Sequence, residues 1–305
     1  MTKSRTPIFF AALAFLVTAP LIAQADVINF YTGATGDLAS DLAVFDAVQD
    51  FGDGVNSYGV FNIDAADSPF GDGNAVRLVD LYDGDKPEIQ GEFAEPIFEP
   101  FRIDFQSFDQ SPASSSSAIR FRMANSGQSI SSEGRSAFSL SWQADGKVSA
   151  KYQGNADDNP SDVDTTSSDA LVGVQDITMV ANGALSGDYT YSLFGIERTL
   201  NPLSYDVYIN GELLNSSMEG DDKHEEFMNG MAFHTLRSTD YDPALGIQRF
   251  GLIGSSNSNT DPDVLYDNIT FFTGADIAPV PEPGSSLLLL VGSSVWMLGR
   301  RRRQQ

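Results

Sequence analysis

Acidic side chains that could share one cleft are the first candidates for chemistry in this sequence. Glycan hydrolysis needs two carboxylates directed into one cleft, and alternate residues of a strand can supply such a pair. Glu88 and Glu92 lie four residues apart and would share one face of an extended segment. Pro87 and Gly91 interrupt that segment, so we interpret the pair as a solvent-exposed edge and expect no catalysis there.

Histidine and serine patterns do not indicate an enzyme either. The two histidines, His224 and His234, are ten residues apart and lack the His-Glu-x-x-His spacing of zinc proteases. No Gly-x-Ser-x-Gly segment is present, although a Ser-His-Asp triad can also assemble from separate loops. We therefore predict a protein that is not an enzyme.

Aspartates in loops suit calcium better than a transition metal, because short carboxylates supply hard oxygen ligands. Two segments are rich in them: Asp80, Asp83 and Asp85 form one cluster, and Asp157, Asp158, Asp162 and Asp164 form the other. Neither segment has the Asp-x-Asp-x-Asp-Gly spacing of a calcium loop. Aspartate also favours turns through local hydrogen bonds, so we interpret both clusters as turns.

Asp267 is the carboxylate for which we predict a buried partner. Strict alternation in the segment 265–271 places it on the same face as Leu265, Ile269 and Phe271. An unpaired buried carboxylate would be strongly destabilising. Ca²⁺ is the first candidate partner and an arginine, Arg77 or Arg249, is the second. A β-bulge at this point would remove the need for either.

The elements that would position these residues are short strands. Apolar and polar residues alternate in the segments 101–106, 119–123 and 138–142, and this period of two indicates half-buried strands. Further strands are predicted at 58–63, 75–81, 147–152, 177–181, 189–194, 205–209, 248–253 and 264–272. Short strands in this number, separated by Gly, Asp, Asn and Ser loops, predict an all-β fold, an antiparallel β-sandwich.

Turn and helix signals complete the expected fold. Asn210-Gly211 predicts a tight hairpin, because both residues tolerate positive φ. Residues 38–48 and 225–233 are possible short helices. We expect the polar segment 155–169 to be a mobile loop over one face.

The N-terminus has the pattern of a secretion signal. Lys3 and Arg5 precede an apolar run at 8–17, and Ala23 and Ala25 are the small residues that a signal peptidase accepts before its cleavage site. We expect residues 1–25 to be removed, so that the mature chain begins with an ectodomain at 26–275 and continues through a linker at 276–280.

The C-terminal residues 281–305 have three ordered parts. Pro281-Glu282-Pro283 is followed by 16 apolar or small residues, 284–299, and then by Arg300, Arg301, Arg302 and Arg303. As a helix the apolar part would span about 24 Å, less than the ~30 Å hydrocarbon core of a membrane. This order resembles the PEP-CTERM sorting signal of Gram-negative bacteria, which implies transient membrane anchoring and processing by an exosortase. A single-span anchor with its arginines in the cytoplasm is the alternative.

Strand motifs carry a second resemblance. They are Ala75-Val-Arg-Leu-Val-Asp, Ser117-Ala-Ile-Arg-Phe-Arg, Tyr205-Asp-Val-Tyr-Ile-Asn-Gly, Arg249-Phe-Gly-Leu-Ile-Gly and Leu265-Tyr-Asp-Asn-Ile-Thr-Phe. Together they resemble the concanavalin A-like (laminin G-like) lectin and glucanase jelly roll. The resemblance implies two curved sheets of about six or seven strands each and a concave face that binds sugars in many relatives. It also implies that an aspartate placed like Asp267 contributes to a structural Ca²⁺ site.

Tyr208 is the candidate for stacking on a sugar ring, because it points opposite to Val207 and Ile209 on its strand. The alternative is that it packs beneath the second sheet.

Charge narrows the range of partners. Removing Lys3, Arg5 and the four tail arginines from 18 basic residues leaves 12, and removing Glu282 from 42 acidic residues leaves 41, a net charge of −29. Such a surface repels phosphate backbones, so nucleic acid is excluded as a partner, and adaptation to a saline habitat explains the charge equally well. The chain has no cysteine, and its stability cannot depend on disulfides.

We therefore expect an exported cell-surface or extracellular-matrix protein that is non-catalytic and binds extracellular polysaccharide. Signal peptidase and exosortase would act on it during export, and it would contact the membrane only through its tail. The alternatives are a glycan lyase or hydrolase on the same fold and a purely structural coat or adhesive protein.

Overall fold

The computed structural model describes residues 26–27, 47–49, 58–63, 67–71, 75–80, 87–111, 118–130, 135–143, 145–153, 163–214, 229–233, 241–254, 263–273 and 277. These residues form eighteen strands and one turn of 3-10 helix, Pro243–Leu245. In chain order the strands are β1 Asp26–Val27, β2 Ala47–Gln49, β3 Tyr58–Ile63, β4 Ala75–Asp80, β5 Glu88–Ile97, β6 Pro100–Asp109, β7 Ala118–Ala124, β8 Ser136–Gln143, β9 Val148–Gln153, β10 Val163–Ser167, β11 Val174–Asn182, β12 Tyr189–Leu193, β13 Ile196–Leu200, β14 Ser204–Ile209, β15 Glu212–Leu213, β16 Met231–Ala232, β17 Ile247–Ile253 and β18 Asp263–Thr273.

Two antiparallel sheets and one separate hairpin make up the fold. The nine-stranded sheet has the order β15-β14-β11-β6-β18-β4-β3, with β1 beside β18 and β16 beside β14. The seven-stranded sheet has the order β10-β9-β8-β7-β17-β5-β2, and β12 and β13 pair only with each other. The predicted antiparallel all-β sandwich is therefore confirmed, with one sheet larger than the six or seven strands expected.

The core lies between the two sheets and follows the alternation of the strands. Phe105 of β6 meets Trp142 of β8 with ring centroids 5.8 Å apart, and Phe138 of β8 stacks on Tyr205 of β14 at 4.9 Å. All four side chains are buried, and each contributes on the order of 2 kcal/mol through removal of apolar surface from water. The indole N–H of Trp142 donates to Ser107 Oγ at 3.0 Å, so the polar edge of the largest core side chain is also satisfied.

The last two strands complete both sheets. β17 lies between β5 and β7, and β18 lies between β6 and β4. In each sheet, a strand from near the C-terminal end of the described chain thus fills the gap between two earlier strands. Within the described residues, no helix has the length and hydrophobicity needed to cross a membrane.

The Asn210-Gly211 hairpin is confirmed. β14 and β15 are antiparallel neighbours, with Ile209 opposite Glu212. Asn210 has φ 52° and Gly211 has φ 82°, the two left-handed conformations of a type I′ turn, which matches the twist of the flanking strands.

The prediction of a solvent-exposed edge at Glu88 and Glu92 is wrong. β5 is paired on both sides, with β17 and with β2, and Glu88 is buried. Gly91 does not break the strand, because it lies opposite Phe250 and a Cβ at this position would come within 2.5 Å of the Phe250 ring. Glycine here makes room for an aromatic neighbour.

Three further expectations need correction. The predicted loop 155–169 contains the edge strand β10, which pairs with β9 over five residues. The described ends of both predicted helices are strands, because β2 pairs with β5 and β16 pairs with β14. Neighbouring strands can supply hydrogen bonds that outweigh a weak local helix preference.

Candidate functional site

The two sheets differ in what their outer faces carry. The β12–β13 hairpin lies over part of the nine-stranded sheet, where Val180, Tyr191, Leu200 and Tyr208 form a small apolar cluster with Ile277. The outer face of the seven-stranded sheet has no such apolar cluster among the described residues. It carries charged, amide and hydroxyl side chains instead.

Strand register arranges these side chains in three rows that cross the sheet. The first row is Glu88, Ile253, Arg120, Ser141, Ser149 and Ser167; the second is Gln90, Gly251, Arg122, Ser139, Lys151 and Thr165; the third is Glu92, Arg249 and Ala124. Neighbours within a row are about 4.8 Å apart, and neighbouring rows are about 6.8 Å apart. We call these three rows the polar face.

Much of the polar face is buried although it is hydrophilic. Gln90 is 5% exposed and Arg122 is 3% exposed. Arg122 donates from Nη1 to the carbonyl of Ile130 at 2.8 Å and from Nε to Ser139 Oγ at 3.3 Å. The Ile130 side chain lies over Gly251, where an added Cβ would be 2.4 Å from Ile130 Cδ1. The absence of a side chain at Gly251 therefore lets the Ile130 side chain pack closely against the sheet.

Gln90 Oε1 on β5 and Ser141 Oγ on β8 are buried acceptors of this face that lack hydrogen-bond partners among the described residues. β5 and β8 are three strand spacings apart in the sheet order, or about 14 Å. Buried polar atoms are almost always satisfied in folded proteins, so these two atoms are exceptions, and both are closed to solvent.

The third row carries an ion pair. Arg249 donates from Nη2 to Glu92 Oε2 at 3.2 Å, and from Nη1 to the carbonyl of Gln128 at 3.0 Å. The hydrogen bond from Ser126 and then the contact with Arg249 lower the pKa of Glu92 below its ordinary value. A lowered pKa favours the ionised form of Glu92, which accepts hydrogen bonds and carries no proton to donate.

The first row ends at a cleft of about 330 Å³ between β10 and the β14–β15 hairpin. Its apolar lining is Leu171, Ile209, Leu213 and Leu214, and its polar lining is Ser167, Ser168, Asp169, Asn210 and Glu212. Ser167 belongs both to the first row and to the cleft. The hydroxyls of Ser149 and Ser167 are 2.7 Å apart, which joins the polar face to the cleft.

Tyr208 is not the exposed aromatic that the sequence suggested. It does face away from the core between the sheets, but the β12–β13 hairpin covers it and it is 0% exposed. Its hydroxyl is 2.8 Å from that of Tyr191, and the Phe194 ring is 5.3 Å from its own. Burial raises the pKa of Tyr208 to about 12. A sugar ring therefore has no access to it in this structure.

Asp267 is buried, but strict alternation does not hold around it. The pairing of β18 with β6 shifts by one residue between Asp267 and Thr270, and Asn268 within this bulge has φ 57°. Ile269 consequently faces the core, whereas Leu265 belongs to a small cluster on the outer side of the sheet. One oxygen of Asp267 accepts the backbone N–H of Asn268 at 2.7 Å. The bulge thus separates Asp267 from two of its expected neighbours.

The arginines considered for Asp267 bind other carboxylates. Arg77 donates to Asp263 at 2.7 Å, and Arg249 binds Glu92. Among the described residues, no group of three or more acidic or histidine side chains is placed to hold a metal ion. Ca²⁺ binding by Asp267 stays a prediction.

The remaining residues singled out in the sequence have no described side chains. Asp80 and Asp164 lie in β4 and β10 rather than in turns. The other residues of the two aspartate clusters lie outside the described part of the chain, as do His224 and His234. The signal-cleavage residues Ala23 and Ala25 and the sorting residues at 281–283 and 300–303 also lie outside it.

Comparison with known proteins gives no family for this chain. No protein-family profile matches it, and no curated protein does. Among solved structures, the alginate lyase AlyC3 is similar over 65% of this chain and 74% of its own, at 10% identity and a TM-score of 0.39. The carbohydrate esterase vb_24B_21 from the Shiga toxin-encoding bacteriophage phi24B covers 71% and 91%, at 12% identity and a TM-score of 0.40.

The globular domain of T. cruzi calreticulin is similar over 80% of this chain and 87% of its own, at 11% identity and a TM-score of 0.38. Similarity of this degree transfers no activity, since one β-sandwich architecture serves many unrelated functions. Functional inference for this chain therefore depends on its own polar face and cleft.

Proposed function

We propose that this protein is an exported, non-catalytic surface protein that binds extracellular polysaccharide on the polar face of its seven-stranded sheet. The observation that carries the proposal is the outer face itself, on which strand register sets hydroxyl, amide and charged side chains in three rows. A polysaccharide presents hydroxyl donors and acceptors along its whole length. One chain lying across the strands could therefore exchange hydrogen bonds with several of these side chains.

The charge of the protein supports an uncharged polysaccharide. The whole chain has a formal net charge of −24, which repels polyanions. The polar face itself carries Arg120, Arg122, Lys151 and Arg249 against Glu88 and Glu92, so the preference comes from the charge of the whole protein and not from this face. A neutral, hydroxyl-rich polymer is the ligand class that meets no penalty from that overall charge.

A binding role rather than catalysis is proposed from the groups on the face. Its three rows contain no histidine, the side chain that most often transfers protons in enzymes. Of its two carboxylates, Glu92 is held in the ionised form by Ser126 and Arg249. The polar face therefore offers hydrogen bonds and little acid–base chemistry.

Binding to a glycan array by the secreted protein and by the variants Thr165→Val and Ser167→Ala tests the proposal. Each variant removes an exposed hydroxyl of the polar face, so we expect the free energy of unfolding to change little while affinity for neutral glycans falls by about three- to tenfold. Thr178→Val is the matched control, because Thr178 is a buried hydroxyl residue on the other sheet. Unchanged affinity in both variants would contradict the proposal, and binding to no glycan would favour the structural coat protein.

The proposed export route has its own test. Processing by an exosortase near 281–283 would remove everything that follows, including the four arginines. Intact-mass analysis of the surface-released protein should therefore find a chain that lacks residues 300–305. A mature pool that keeps the complete C-terminus would refute exosortase processing.

A further inference from the structure

The cleft between β10 and the β14–β15 hairpin adjoins the polar face at Ser167. Gln143 Nε2 donates to Ser149 Oγ at 2.7 Å, and that hydroxyl is 2.7 Å from Ser167 Oγ. Ser149 is buried in the first row, and Ser167 lines the cleft. A polymer that follows the first row past Ser149 therefore arrives at the cleft.

Hydrogen bonds that involve the main chain fix the walls of the cleft. Ser168 Oγ accepts the N–H of Val148 at 3.0 Å and donates to the carbonyl of Asp169 at 2.6 Å. On the opposite wall, Asn210 Oδ1 accepts the N–H of Asp176 at 2.9 Å. The N–H of Leu214 donates to the carbonyl of Val207 at 2.8 Å. A pocket held in this way is already formed before a ligand binds, which lowers the entropic cost of binding.

The size of the cleft suits the end of a chain. About 330 Å³ is close to the lower end of the range for small-molecule pockets, roughly 300–1,000 Å³. This volume admits a terminal sugar and not the length of a polymer. Four aliphatic side chains supply surface for the C–H face of a sugar ring, and the serines and Asn210 supply donors and acceptors for its hydroxyls.

The charge of the lining selects among sugars. Asp169 and Glu212 are exposed carboxylates, and none of the residues that line the cleft is a cation. Lys147 is close enough to Asp169 for their charges to interact, but its ammonium group is bound to Asp145 at 2.8 Å. Carboxylates accept strong hydrogen bonds from sugar hydroxyls and repel acidic groups.

We infer that this cleft is the terminal subsite of the polysaccharide-binding face and that it takes a sugar ring without an acidic group. The inference rests on the proposed function, because the first row of the polar face leads the chain into the cleft. It adds what the polar face does not determine, namely where the bound chain ends and which kind of sugar stands at that end.

Methyl NMR of the full secreted protein, titrated with neutral hexasaccharides of glucose, mannose and galactose, locates the bound chain. The methyl groups of Ile209, Leu213 and Leu214 report on the cleft, and those of Ile130 and Ile253 report on the polar face. Shifts in both sets support the inference. Shifts at the polar face alone overturn it and leave the proposed function intact.

The other two outcomes are also decisive. Shifts in the cleft alone refute binding on the polar face, and with it the inference that the cleft holds the end of a chain bound there. Shifts in neither set, with all three neutral hexasaccharides, overturn both.

Matched charge variants test the selectivity. Two carboxylates about 8 Å from an acidic sugar in water weaken its binding by about fivefold. The double variant Asp169→Asn/Glu212→Gln should therefore raise affinity for hexauronates about fivefold relative to neutral hexasaccharides, and this gain should shrink at high salt. The control Asp188→Asn/Glu197→Gln makes the same change of net charge at exposed residues outside the cleft. Equal gains in the two double variants would refute selection by the cleft.

Discussion

Removal of the Arg198 guanidinium tests how the β12–β13 hairpin is held to the sandwich. The carboxylate of Asp206 on β14 is 0% exposed. It accepts from Arg198 Nε at 3.0 Å, from Arg198 Nη2 at 3.1 Å and from the Tyr191 hydroxyl at 2.6 Å. Arg198 and Tyr191 both belong to the hairpin, so one buried charge anchors both of its strands.

The expected loss follows from the burial of this charge. In Arg198→Met the apolar stem of the side chain is kept, while the Asp206 carboxylate stays buried with only the Tyr191 hydroxyl as a described partner. Breaking a buried ion pair from one side costs about 3–5 kcal/mol. Because the Arg198 side chain is 16% exposed, water reaches the site in part, and we expect a loss of about 2–4 kcal/mol in the free energy of unfolding.

Urea unfolding of wild type, Arg198→Met and Arg198→Met/Asp206→Leu measures the effect. The double variant should recover most of the loss, since it removes the orphaned charge together with its partner. Lys147→Met is the control, because Lys147 and Asp145 form a solvent-exposed pair with side chains 41% and 46% exposed, and its loss should be under about 1 kcal/mol. A loss below about 1 kcal/mol in Arg198→Met would refute the anchoring role of Asp206.

Three other perturbations have defined outcomes. Burial raises the pKa of Tyr208 from 10.0 to about 12, and between these two pH values only the unfolded state releases the hydroxyl proton. The free energy of unfolding should therefore fall by up to about 3 kcal/mol as the pH rises from 10 to about 12. Urea midpoints measured against pH should fall less steeply in Tyr208→Phe. Gly211 has φ 82°, and a Cβ added there would touch the Phe194 ring at 3.5 Å. Because an alanine is strained at this φ, Gly211→Ala should lower the free energy of unfolding by about 1–2 kcal/mol. A change of less than about 0.3 kcal/mol in urea titration would contradict this backbone strain. Ser107→Ala removes the acceptor of the buried Trp142 N–H, so the free energy of unfolding should fall by about 1–3 kcal/mol in the same assay. An unchanged free energy would show that water or another acceptor replaces the hydroxyl.

Alternation of apolar and polar residues was enough to predict the fold class. In segments such as 101–106 and 138–142, every second side chain does lie in the core between the sheets. The Asn210-Gly211 turn was also predictable, because its conformation depends on two adjacent residues. Both signals are local, so neither requires knowledge of which strands become neighbours.

The candidate site depended on information that is not local. Gly91 was interpreted as a strand breaker, but its neighbour across the sheet is Phe250, 159 positions later in the chain. Tyr208 was expected to be exposed because the alternation places it away from the core, and the hairpin that covers it comes from a different segment. Alternation assigns a residue to a face of a sheet, but it does not determine what covers that face.

The Asp267 region shows how one extra residue changes an interpretation. A single bulge at Asn268 reverses the alternation for the rest of β18, so that Asp267 and Ile269 no longer share a face. Asn tolerates a left-handed conformation more readily than most residues. That tolerance was the only local signal of the bulge in the sequence, and it marks many asparagines that form no bulge.

The positions of β17 and β18 set the order in which this protein can fold. β5 and β7, and likewise β4 and β6, remain without a neighbour on one side until the segments 247–253 and 263–273 have been synthesised and released. A chain that lacks these segments therefore cannot pair all the strands of either sheet. Such late, long-range pairing makes folding slow and leaves strand edges of both sheets exposed in the incomplete chain, where they can pair with other chains and aggregate.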